Sequence, residues 1–137
     1  MQINSYLLFT EDCEEAFKSY EKLLGGKIEF KMTFAESPGA HQVPSEWGGK
    51  IMHARMNTPG GVLMGSDAPP ERQSKPQGFS VSVSVDDPAE ADRIYKGLAE
   101  GAKAVSMPIQ ETFWARRFGM LTDRFGIPWM VSCEKSH

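Results

Sequence analysis

Residues 12–26 and 87–101 are two versions of one segment, displaced by 75 positions. Asp12/Asp87, Glu15/Glu90, Ala16/Ala91, Lys18/Arg93, Tyr20/Tyr95, Leu23/Leu98 and Gly26/Gly101 all match. Such a duplication restricts a chain of 137 residues to two copies of one supersecondary unit. Each copy carries its own helix signals. Asp12-Cys13-Glu14-Glu15 and Asp87-Pro88-Ala89-Glu90 both set a carboxylate three residues before a glutamate, as a capping box does, and Pro88 suits a first helical position. Ala16, Phe17, Tyr20, Leu23 and Leu24 then recur at helical spacing, as do Ala91, Ile94, Tyr95 and Leu98. Gly25-Gly26 and Gly101 supply the stops.

A strand is predicted upstream of each helix: Ile3 to Phe9, and Phe79 to Val85, where Phe79, Val81, Val83 and Val85 alternate with serines. Three more strands follow each helix. In the first copy they are Lys27 to Phe34, Ile51 to Met56 and Gly61 to Gly65, with Asn57-Thr58-Pro59-Gly60 as a hairpin turn. In the second they are Ala104 to Ile109, Phe113 to Thr122 and Ile127 to Cys133, with Asp123-Arg124-Phe125-Gly126 as the turn and Asp123 making an Asx-type bond. The topology is therefore βαβββ twice, an α+β fold in which tandem repeats form a curved sheet around a cavity. The whole of 1–137 is expected to be a single domain, with unit one at 1–67, a linker at 68–78 and unit two at 79–137. Ala35 to Gly49, rich in Pro, Gly and Ser, is a long loop inside unit one, a place for function or for mobility alike.

Composition narrows the function class more by exclusion than by suggestion. Fifteen basic against eighteen acidic residues leave a net charge of −3 and no basic face for nucleic acid. Met1 to Thr10 has no basic leader with a long apolar run, and no stretch approaches a membrane-spanning length, so the expectation is a soluble, cytoplasmic protein. The two cysteines, Cys13 and Cys133, have no zinc-type spacing and are read as free thiols. Cys13 stands where a helix begins, a setting that can depress a thiol pKa, though a small filler side chain explains it as well.

The C-terminal third carries a resemblance. Trp114-x-Arg116-x-Phe118-Gly119 followed by Asp123-x-Phe125-Gly126 resembles the closing signature of the vicinal oxygen chelate superfamily, which includes glyoxalase I, bleomycin-resistance proteins and extradiol dioxygenases. Tyr6-Leu7-x-Phe9, Leu63-Met64-x-Ser66-Asp67 and Gln110-Glu111-Thr112-Phe113-Trp114 are similar to its PhnB-like branch, sometimes labelled 3-demethylubiquinone methyltransferase-like. The resemblance covers nearly the whole chain and implies the paired βαβββ fold, a small-molecule ligand and a homodimer. It also implies a test for metal. Relatives that do metal chemistry hold a divalent ion with His, Glu or Gln from the first and last strand of each unit. The matching positions here are Asn4, Met64, Ser80 and Met130, none a customary strong ligand. A slip of one residue would offer Ser5, Leu63, Phe79 and Trp129, which is no better. His41 falls in the long loop and His137 ends the chain, leaving His53 as the one strand histidine.

No cofactor is therefore expected, and no glyoxalase-type metal. The methyltransferase label is not supported either, because no glycine-rich turn joins a strand to a helix. The ligand-binding candidates are Tyr6, His53, Met64, Ser66, Gln110, Trp114, Arg116 and Met130. They combine apolar wall with a few directed polar groups, although Met and aromatic residues at strand spacing also serve as plain core. His53 and Arg55 share a strand face and together suit an anionic or enolisable ligand. In Arg116-Arg117 one guanidinium must turn inward, where it needs an anionic ligand or an internal carboxylate such as Glu111 or Asp67. Tyr20, Tyr95 and Trp129 are assigned to helix–sheet packing. The alternative reading is a metal-dependent lyase, isomerase or dioxygenase acting on a vicinal-oxygen substrate, its ion held by His53, Asp67 and Glu111.

Overall fold

The structure, a computed structural model, describes residues 1–135; His137 lies outside them. The chain divides into two compact units, the first Met1–Ser74 and the second from Lys75 on. The first unit contains β1 (Ser5–Phe9), α1 (Cys13–Leu24), β2 (Lys27–Thr33), β3 (Ile51–Thr58) and β4 (Gly61–Asp67), and its sheet order is β1-β4-β3-β2. The second contains β5 (Val81–Ser84), α2 (Pro88–Ala99), β6 (Ala104–Gln110), β7 (Ala115–Thr122) and β8 (Pro128–Glu134), ordered β5-β8-β7-β6. In each sheet the outer strand before the helix runs parallel to the last strand, and the remaining pairs are antiparallel. Among the described residues no helix is long and apolar enough to cross a membrane.

The two helices occupy Cys13–Leu24 and Pro88–Ala99, the same 75-residue displacement that the sequence repeat shows. Their starts differ. Asp87 accepts the Ala89 N–H through its side chain, whereas Asp12 makes no side-chain cap bond to α1. The entry of α1 is held instead from β4: Asp67 Oδ1 accepts the Cys13 N–H at 2.9 Å and Oδ2 accepts the Ile51 N–H at 2.8 Å. Gly25 (φ 64°) closes α1 and Gly101 (φ 68°) follows α2, both in the left-handed region that glycine tolerates.

Each helix packs one face on its sheet. Phe17 and Tyr20 are buried beside Leu7, Phe9, Ala54, Met56 and Leu63 in the first unit. Ile94, Tyr95 and Leu98 are buried, as are Leu121, Trp129 and Val131, in the second. Close approach needs glycine at two points. A Cβ at Gly65 would lie 3.0 Å from the Phe17 ring, and one at Gly119 only 2.6 Å from the Tyr95 ring. Cys13 and Cys133 are free, as read from the sequence, and both are buried. The Cys13 thiol is not activated by its helix position, because burial pushes its pKa well up and the neighbouring Asp67, Asp12 and Glu14 charges add to that.

Several expected boundaries shift. Asn4 and Ser80 were placed in first strands, but β1 begins at Ser5 and β5 at Val81. Gln110 ends β6, one residue past the expected Ile109. The long loop of unit one is organised by two short 3₁₀ turns, Ala40–Gln42 and Ser45–Trp47, and Trp47 is buried edge-on against Phe34 at 6.2 Å.

Candidate functional site

Strand alternation leaves every second side chain on the sheet face away from its helix. In the first unit Leu7, Phe9, Ala54, Met56, Leu63 and Gly65 face α1, so Tyr6, Leu8, His53, Arg55 and Met64 lie on the open face. Tyr6 pairs with Met64 and Leu8 with Ser66 across β1 and β4. Tyr6 then reaches over β4, a span of about 10 Å from β1 to β3, to meet His53. Its hydroxyl lies 3.0 Å from His53 Nδ1, a hydrogen bond whose direction follows the imidazole tautomer, and the rings stack with centroids 5.6 Å apart. Phe30 of β2 closes the other side of the imidazole at 5.9 Å. Next to this aromatic row, Arg55 Nε lies 3.6 Å from Glu29 Oε2, and Asn57 donates to Glu29 as well.

In the second unit Ala115, Gly119, Leu121, Trp129, Val131 and Cys133 are buried against α2. Arg117 shares their side: its Nε donates to Asp92 of α2 at 2.7 Å. Arg116 is thereby the arginine of the open face. The register sets out two rows there. Met120, Met130 and Ser82 form one; Phe118, Ser132 and Ser84 form the next, with the two serine hydroxyls 3.1 Å apart. Beyond them Arg116 stands at a register shift between Ala115 and Arg117, and its Nε donates to the Glu134 carbonyl at 3.3 Å and Nη2 to the Asp86 carbonyl at 2.5 Å. Gln110 pairs with Phe118 on β6, and Trp114 packs edge-on against Phe118 at 5.4 Å.

The eight sequence candidates thus fall in two groups, Tyr6, His53, Met64 and Ser66 in one unit and Gln110, Trp114, Arg116 and Met130 in the other. Phe30, Phe118, Ser84 and Ser132 were missed. Ser84 and Ser132 each alternate with buried or half-buried apolar residues, a signal that was present. Phe30 was hidden because a register shift between Ile28 and Phe30 breaks the alternation of β2. The internal partners proposed for an inward arginine are also corrected. Asp67 binds two backbone amides, and Glu111 lies 3.7 Å from Lys135.

The four positions that the resemblance matches to metal ligands hold no customary strong donor. Asn4 precedes β1 and contacts Gln2, Ser80 precedes β5, and Met64 and Met130 offer thioethers on a face of serine and aromatic residues. Asp67, one of the substitute donors, is committed to holding the fold. Among the described residues no group of three or more His, Cys, Asp or Glu side chains is placed to hold a metal.

Comparison with known proteins gives the geometry its context. Residues 2–131 match the family model of the glyoxalase/bleomycin resistance protein/dioxygenase superfamily. The chain belongs to this superfamily. One curated relative is protein YjdN of Escherichia coli (strain K12), 34% identical over 98% of this chain and 97% of that protein. Among solved structures, protein PA1353 of Pseudomonas aeruginosa is 46% identical, covers 99% of both chains and superposes with a TM-score of 0.89. A Bacillus cereus PhnB protein bearing the name of a 3-demethylubiquinone-9 3-methyltransferase shares the superfamily fold at a TM-score of 0.81. It is 22% identical, over 97% of this chain and 99% of that one.

Proposed function

We propose that this superfamily member is a PhnB-like small-molecule-binding protein without the glyoxalase-type metal centre, working as a homodimer and taking its ligand on the open sheet faces. The observation that carries the reading is the composition of those faces. Tyr6, Leu8 and Phe30 in the first unit are 43%, 49% and 44% exposed, and Trp114 in the second is 45% exposed. In each unit exposed apolar side chains stand beside directed polar groups, the Tyr6–His53 pair in the first and Arg116 in the second, which is what a ligand surface requires of a sheet face.

The methyltransferase name of the B. cereus relative is not carried over. The turns that lead into the helices are Thr10-Glu11-Asp12 and Val85-Asp86-Asp87, and neither contains the glycine that lets a backbone approach a nucleotide-like donor.

A fragment screen followed by chemical-shift mapping tests the binding reading. Ligands are expected to perturb the amides around Tyr6, His53, Phe118 and Met130; hits confined to helix faces or loops would overturn it. Elemental analysis of protein purified without a chelating tag tests the metal clause. One tightly bound divalent ion per chain would restore the metal-dependent enzyme. Sedimentation equilibrium tests the assembly, with a monomer at micromolar concentration as the outcome against it.

A further inference from the structure

Arg116 is set apart from the other well-placed arginines by what it lacks. Arg55 lies near Glu29, Arg93 pairs with Glu90 and Arg117 with Asp92. Arg116 is half-buried on the open face of the second unit, and no carboxylate among the described residues pairs with it. Its two backbone acceptors orient the guanidinium without neutralising it. They use one N–H on Nε and one on Nη2, leaving both Nη1 hydrogens and the second Nη2 hydrogen to donate. A half-buried cation so fixed is a preorganised receptor for two oxygens of an anion.

The neighbouring row completes the receptor. The guanidinium is held on the carbonyls of Glu134 and Asp86, each two residues along the chain from Ser132 and Ser84, a step of about 7 Å on a strand, so the serine pair is its neighbour. One hydroxyl of the pair donates to the other, and the second hydroxyl hydrogen is free to turn toward an anion. On the far side of the serines Met120 and Met130 lie side by side, with Ser82 at the β5 end of their row, and Phe118 with Trp114 forms an aromatic edge. Polar groups at one end and an apolar floor at the other describe an amphipathic ligand with a charged head.

We infer that Arg116, with Ser84 and Ser132, receives the carboxylate or phosphate headgroup of a ligand whose apolar body lies along Phe118, Met120 and Met130. The inference rests on the small-molecule reading above and specifies the charge and polarity of what that face takes.

The test uses three probes of one shape, 1-naphthoate, 1-naphthyl phosphate and the neutral 1-naphthamide, titrated into the full chain by calorimetry. At least one anion is expected to bind about tenfold or more tightly than the amide, and the tighter of the two identifies the headgroup. Arg116→Gln should abolish that preference. Should this variant fail to fold, Ser132→Ala, which removes one hydroxyl of the receptor, should reduce the preference severalfold. Equal binding of anions and amide, or a preference that survives in both variants, would overturn the inference and leave the small-molecule reading standing. Failure of all three probes to bind would count against both.

Discussion

Asp67 shows how much one side chain organises. Buried at the end of β4, it joins the first residue of α1 to the first residue of β3 through two backbone amides. Replacement by asparagine keeps the size but puts an NH2 group against one of those N–H donors. Asp67→Asn should therefore cost about 2 kcal/mol or more, read as a lower urea midpoint with an unchanged slope. The sequence allowed Asp67 to be seen only as a free carboxylate, a candidate ion partner or metal donor, because its true partners are backbone groups 54 and 16 residues away. Asp123 went the other way. The Asp-x-Phe-Gly turn fixes its partners locally, and it accepts from the Phe125 and Ile127 amides, as the Asx-type reading expects, and from the Trp129 indole.

At the scale of elements, the repeat located both helices because their capping, apolar spacing and terminal glycines are local. The strands after the helices do not keep the displacement: β3 and β7 are separated by 64 residues where the helices are separated by 75. The cause is the unequal connection before them, 17 residues between β2 and β3 against four between β6 and β7. Helix–sheet contact is tightest where α2 crosses β7. Gly119→Ala would drive a methyl into the Tyr95 ring and should destabilise the protein by about 1–3 kcal/mol in thermal or denaturant melts. The same tyrosine makes α2 sensitive to alkali. Burial raises the Tyr95 pKa above its ordinary 10.0, so its contribution is full below that value and is lost as pH rises through the higher folded one. The hydroxyl also donates to the Met107 carbonyl at 3.1 Å, which a phenolate cannot do. Stability should fall more steeply above pH 10 in the native chain than in Tyr95→Phe; parallel curves would refute this.

For the whole molecule, the duplicated βαβββ topology was legible because alternation and helical periodicity are carried by nearest neighbours. Which face each arginine of Arg116-Arg117 takes was not, since that depends on Asp92 standing ready on α2 to receive one of them. The eight candidates could be named but not grouped, because Tyr6 meets His53 only through the strand order that places β4 between them. The segment joining the units is mostly exposed and contains Arg72 at the end of a short 3₁₀ turn. The long loop 35–49 holds neither lysine nor arginine. Brief trypsin digestion should accordingly cut first after Arg72, with peptide masses as the readout and an initial cut inside either sheet as the contrary result.

The long loop has a further consequence. It leaves β2 and returns to β3 at adjacent points: Thr33 pairs with Ile51, the Phe34 amide donates to the Lys50 carbonyl and the Ala35 amide to the Gly48 carbonyl. Its ends are thus clamped whatever lies between them, and the entropy of closing such a loop grows only as the logarithm of its length. Around residues 38–42 the molecule has a port where relatives can gain or lose sequence, or an engineer can graft a peptide, while both sheets keep their register.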